Sequence, residues 1–111
     1  MTAIRIEFSV QNIGNVVREA LRSNHRVTGI LVPRRLADKI YAYVRSEQVP
    51  GPGHPLYDLF NTLDVNHKIE DRVYQSFGSI MGIPMYIEPC MVPEEIKLGE
   101  FEAILYTTAF A

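Results

Sequence analysis

The chain has 111 residues, 47% of them hydrophobic and 22% charged, with a formal net charge of −2. That composition excludes disorder, and the length supports one core, since chains near this size hide roughly two-thirds of their unfolded surface. No apolar run approaches the ~20 residues that span a bilayer, and Cys90 stands alone, which excludes an internal disulfide.

The opening MTAIRIEFSV lacks the basic start, apolar core and small-residue cleavage site of a secretory signal. The expectation is a cytoplasmic chain or a virion component made in a host cytoplasm, without membrane contact. Charge is uneven along the sequence. Residues 1–50 carry eight Lys/Arg against four Asp/Glu, or +4, and residues 51–111 carry three against nine, or −6. Such asymmetry attracts copies head to tail, or a partner of matching asymmetry, unless the halves interleave in the fold and cancel.

In chain order, Thr2–Val10 alternates Ile4, Ile6 and Phe8 against Arg5 and Glu7, the period of a half-buried strand. Ile13, Val16, Val17, Ala20 and Leu21 then mark one face of a helix over residues 12–24, with Asn12 as its N-cap. Val27–Val32 is short, apolar and β-rich, a buried strand. Pro33 starts a second helix over 34–46, which buries Leu36, Ile40, Tyr43 and Val44 and leaves Arg34, Arg35, Lys39 and Arg45 wet. Three prolines and two glycines in Val49–Pro55 predict an exposed, mobile loop. A short helix over Pro55–Leu63 and a polar connection over Asp64–Asp71 follow. Strands are placed near Arg72–Phe77, Ile83–Glu88 and Phe101–Thr108, with bends at Gly78 and Gly82 and a long acidic loop from Pro89 to Gly99. Pro84 makes its strand an edge strand, or delays its pairing until after the proline. The order predicts a single α+β domain over 1–111, two to three helices packed on a mixed, mostly antiparallel sheet.

Patterns that carry chemistry are sparse. His25, His54 and His67 have no second ligand at metal spacing, and read as surface histidines. Cys90 lies among glutamates, which raise a thiol pKa and weaken its nucleophilic form. Glu94–Glu95 and Glu100 with Glu102 are paired carboxylates, of which the second pair shares a strand face, but nothing marks a pocket around them. Gly78–Gly82 lacks the lysine of a phosphate loop. Arg18, Arg22, Arg26, Arg34 and Arg35 cluster within eighteen residues, a candidate phosphate-binding patch opposed by the acidic second half.

Phe77-Gly78-Ser79-Ile80-Met81-Gly82-Ile83-Pro84-Met85-Tyr86-Ile87, continued through Met91-Val92-Pro93 to Lys97-Leu98-Gly99-Glu100-Phe101, resembles a stretch near the C-terminus of tailed-phage major capsid proteins. The matching positions are Gly82, Pro84, Met91, Pro93, Gly99, Glu100 and Phe101. Gly29–Pro33 with the following helix resembles that family's strand, proline and helix. The chain departs from the family in length: 111 residues cannot also hold a spine helix, a peripheral sheet and an extended arm, so the likeness implies a central domain alone.

The expectation is a small phage-type structural or assembly protein, not an enzyme and without cofactor or metal, which contacts itself or another virion or host protein. The candidate interface pairs Glu88, Met91, Val92, Glu94, Glu95, Ile96 and Glu100 with Arg18, Arg22, Arg34 and Arg35, an apolar centre with a charged rim. Two alternatives stand beside it. One is an inhibitor or regulator that caps a host protein through its acidic surface, and the other is a nucleic-acid-binding protein that uses the arginine patch.

Overall fold

The computed structural model describes residues 2–46, 50–63, 76–87, 98–99 and 101–110. In chain order these form β1 (Thr2–Glu7), α1 (Val10–Arg22), β2 (His25–Val32), α2 (Arg34–Ser46), α3 (Tyr57–Phe60), β3 (Ser76–Ile80), β4 (Ile83–Ile87) and β5 (Glu102–Ala109). The five strands make one sheet in the order β1-β5-β2-β4-β3. Its β1–β5, β5–β2 and β4–β3 pairings are antiparallel, and only β2–β4 is parallel. The fold is α+β with a mixed, mostly antiparallel sheet.

Because β1 and β2 both run antiparallel to β5, they are parallel to each other with β5 between them. The connection through α1 therefore crosses over β5 and lays the helix on the sheet. Ile13 of α1 and Leu36, Ala37 and Ile40 of α2 join one core with Phe8, Ile30, Val32, Ile80, Ile83, Met85, Ala103 and Leu105. Leu56 and Leu59 close it beside the short helix. Alternation sends Leu31 and Ile104 to the other face, where they pair with each other and stay outside that core. There a Cβ on Gly29 would stand 3.0 Å from the Tyr86 ring, so glycine makes room for the tyrosine.

Several boundaries move for identifiable reasons. The hydroxyl of Ser9 accepts the Asn12 N–H at 3.1 Å, so Ser9 is the N-cap of α1 and the helix begins at Val10. The Asn12 amide instead donates to the Glu7 carbonyl at 2.9 Å. Asn24, at φ 60, turns the chain out of the helix, which ends at Arg22 rather than 24. Leu21, expected in the buried stripe, is 57% exposed, while Ala20 beside it is buried, so the buried face of the last turn is narrower than the periodicity suggests. The Pro33 carbonyl accepts the Ala37 N–H at 3.0 Å, so Pro33 precedes α2, whose span Arg34–Ser46 is the one expected. The Lys39 ammonium is not simply wet, since it lies 4.6 Å from the centre of the Phe101 ring. The third helix is four residues long, Tyr57–Phe60 within the expected Pro55–Leu63, and Leu59 is its buried member.

Gly78 lies inside β3, beside a register irregularity between Ser76 and Gly78, and does not mark a bend between strands. Pro84 lies on an interior strand, opposite Ser79 of β3, and pairing with β2 starts at Met85. Pairing therefore begins after the proline toward β2, as the second expectation had it, but toward β3 it already includes Ile83 and Pro84. The predicted connection over Asp64–Asp71, most of the strand over Arg72–Phe77 and most of the acidic loop lie outside the described residues, as do His67 and Cys90.

Candidate interaction surface

The register assigns each end of a described strand to one of two ends of the sheet. At the end where β2 begins, which we call the His25 end, α1 finishes and β5 runs out. The Phe110 N–H donates to the Asn24 carbonyl at 3.0 Å. Since β4 runs parallel to β2, the turn that enters it lies at this end as well. That turn is Met81–Gly82, with φ 52 and 75, between the paired residues Ile80 and Ile83. Positive φ at both central residues is the type I′ geometry that matches the twist of a hairpin.

Three large hydrophobic side chains stand exposed among the described residues: Leu21 at 57%, Met81 at 46% and Phe110 at 43%. All three belong to the His25 end. Three exposed arginines also belong to this end: Arg18 and Arg22 on the last turns of α1 and Arg26 at the start of β2. Arg18 bonds the Asn15 side chain, and Arg22 reaches Glu19 at 3.2 Å as an exposed pair on one helix. Exposed hydrophobics scattered singly are ordinary, whereas an apolar group rimmed by charge has the composition of an interface.

The five expected arginines therefore do not form one patch. Arg34 and Arg35 are exposed at the far, Val32 end, and β2 between them and Arg26 spans roughly 25 Å at ~3.3 Å per residue. Ile87 and Gly99, which flank the acidic loop, also belong to the Val32 end. Glu88, Met91, Val92, Glu94, Glu95, Ile96 and Glu100 themselves lie outside the described residues.

At the Val32 end Glu102 holds β5 to its neighbours. Its carboxylate accepts from the Arg5 guanidinium and from the Gly99 N–H at 3.0 Å. The Arg5 hydrogen bond holds the Glu102 carboxyl below the usual carboxylate range, desolvation opposes it, and the Gly99 N–H assists. Arg5, Ile6, Glu7, Gly99, Phe101 and Glu102 line an open groove of about 600 Å³. Glu102 is thus occupied structurally, whatever role Glu100 has.

His54 is a fastener rather than a plain surface histidine. Its Nδ1 accepts the Leu56 N–H at 3.0 Å, which places the proton of the neutral ring on Nε2, 2.9 Å from the Tyr43 hydroxyl. Its own N–H donates to Gly51 at 3.1 Å and its carbonyl accepts from Tyr57 at 2.9 Å. Gly51, Pro52, Gly53 and Pro55 are exposed as expected, while Pro50 is buried. His25 donates from Nδ1 to the Ser23 carbonyl at 2.7 Å. Among the described residues no three His, Cys, Asp or Glu side chains group as metal ligands, and no helix is long and apolar enough to cross a membrane.

No family model, curated protein or solved structure matches the chain. The sequence held partial signals for this surface. Two residues between β-rich runs are a hairpin signal, which points to Met81–Gly82. Helical periodicity alone placed Leu21 in the core, and Phe110 lies beyond the predicted last strand.

Proposed function

We propose that this chain is a small phage-type structural or assembly protein that works through protein–protein contacts, and that one contact is made at the His25 end. The observation that carries it is that Leu21, Met81 and Phe110, the exposed large hydrophobics among the described residues, all belong to the His25 end, which also carries exposed Arg18, Arg22 and Arg26. Met, Phe and Arg are residue types that interface cores favour. The resemblance of Phe77–Phe101 to the central domain of tailed-phage capsid proteins supports the phage setting.

A photo-crosslinking residue at Met81, expressed in the cell that carries the protein, tests this. Crosslinked protein adducts should form at Met81 and not at Asp38, which is exposed on α2. The adducts should sediment with assembled particles and fall away in a Leu21→Ser, Phe110→Ser chain. Equal labelling from both positions, or none from Met81, refutes the proposal.

A further inference from the structure

We infer that His54 is a proton-operated latch: with its ring neutral it pins the Pro/Gly loop to α2, and with its ring protonated it lets go. The bond pattern decides which charge state the closed loop requires. The Leu56 N–H points at Nδ1 from 3.0 Å, and a backbone N–H can only donate. Nδ1 therefore carries no hydrogen, and the single ring hydrogen sits on Nε2, 2.9 Å from the Tyr43 hydroxyl of α2. An imidazolium carries a hydrogen on both nitrogens. Its Nδ1–H would face the Leu56 N–H, donor against donor, so the charged ring cannot keep its place. Turning the ring over does not help, because that puts a carbon where Nδ1 stood.

The surroundings give a charged ring no other hold. From α2 it is faced by Tyr43, edge-on with ring centres 5.3 Å apart, and by Lys39, which with Ala42, Tyr43 and Ser46 lines the same pocket of about 390 Å³. From α3 the Tyr57 N–H donates to the His54 carbonyl, and Asp58 is exposed. Among the described residues no carboxylate lines that pocket, and the charge on Lys39 has the same sign as an imidazolium. On release the Leu56 N–H loses its acceptor and the pocket loses one wall. The backbone bonds from His54 to Gly51 and from Tyr57 to His54 make no demand on the ring, so they remain to reset the loop when the proton leaves.

The test follows the Leu56 amide of the purified full chain by NMR from about pH 8 to about pH 5, the range in which histidine ordinarily changes charge. Its hydrogen-exchange protection factor, from which the intrinsic pH dependence of exchange is divided out, should fall at least about fivefold, the weight of one lost hydrogen bond. The fall should track protonation of the His54 ring, while amides of β5 keep their protection. His54→Asn puts an acceptor oxygen close to where Nδ1 stood, in the two-residue arrangement natural to Asn, and has no proton to gain. Its Leu56 amide should hold its protection across the same range. Tyr43→Phe leaves the Nδ1 bond intact and should keep the response to pH. A parent protection factor that does not change with pH overturns the inference. So does an equal fall in His54→Asn, which would assign the response to another group.

Discussion

Met81 is a flexible, unbranched residue in a backbone conformation that suits Gly, Asn or Asp. A left-handed conformation costs an ordinary L-residue roughly 1–2 kcal/mol, and at φ 52 Met81 bears that cost while exposing its thioether. Met81→Gly should therefore stabilise the fold by about 1 kcal/mol, read as a shift in denaturant midpoint, while association falls. A gain in stability with association intact would detach Met81 from the interface. Glu102 gives a second measurement. Folding depresses its pKa, so its contribution is present above the unfolded carboxylate value and is lost as pH falls through the depressed one. Glu102→Gln should be slightly less stable than the parent at neutral pH, and the two should converge on acidification in denaturant melts. Part of this was legible beforehand: the alternation of β1 set Arg5 and Glu7 on the outward face. The Arg5–Glu102 pair was not, because it joins residues ninety-seven positions apart and depends on which strand lies beside β1.

The Pro/Gly loop between α2 and α3 joins turn chemistry to packing. Its composition correctly forbade helix and strand, and exposure followed at four positions. What composition could not express is that one histidine ties the segment down, since a bond from His54 to Tyr43 depends on the pitch of α2. His54→Ala should lose two side-chain hydrogen bonds and leave the Leu56 N–H without its acceptor, at a cost of about 1–3 kcal/mol. Limited proteolysis near Gly51–Gly53 should accelerate, and Tyr43→Phe should give a smaller effect in the same direction. No change in cleavage would mean that the buried Pro50 and Leu56 suffice to hold the loop. The other elements divide along similar lines. Periodicity found α2 to the residue, because Pro33 and the stripe from Leu36 to Val44 agree. It placed α1 two residues late, because Ser9 and Asn12 are both good caps and only the fold chooses between them.

At the scale of the molecule, the three described helices share one core and the sheet has two unlike ends. Sequence patterns predicted the layers but not the ends, since strand order is set by pairing rather than by local propensity. The division of five neighbouring arginines between ends roughly 25 Å apart follows from strand direction alone. The same strand order governs how the chain can acquire its structure. Thr2 pairs with Thr107, and β5, synthesised after the other four strands of the sheet, is the seam that unites β1 with β2. During translation the first two strands have no partner in common until that seam arrives, so a nascent chain can pair β2, β4 and β3 but cannot join β1 to them. Such non-local pairing slows folding and leaves apolar surface waiting. A chain that stops at Gly99 should stay protease-sensitive and aggregate, whereas adding residues 100–111 as a separate peptide should restore protection by inserting between strands made long before it. The delay also reaches the His25 end: Phe110 follows β5, so that end is not complete until β5 has been made.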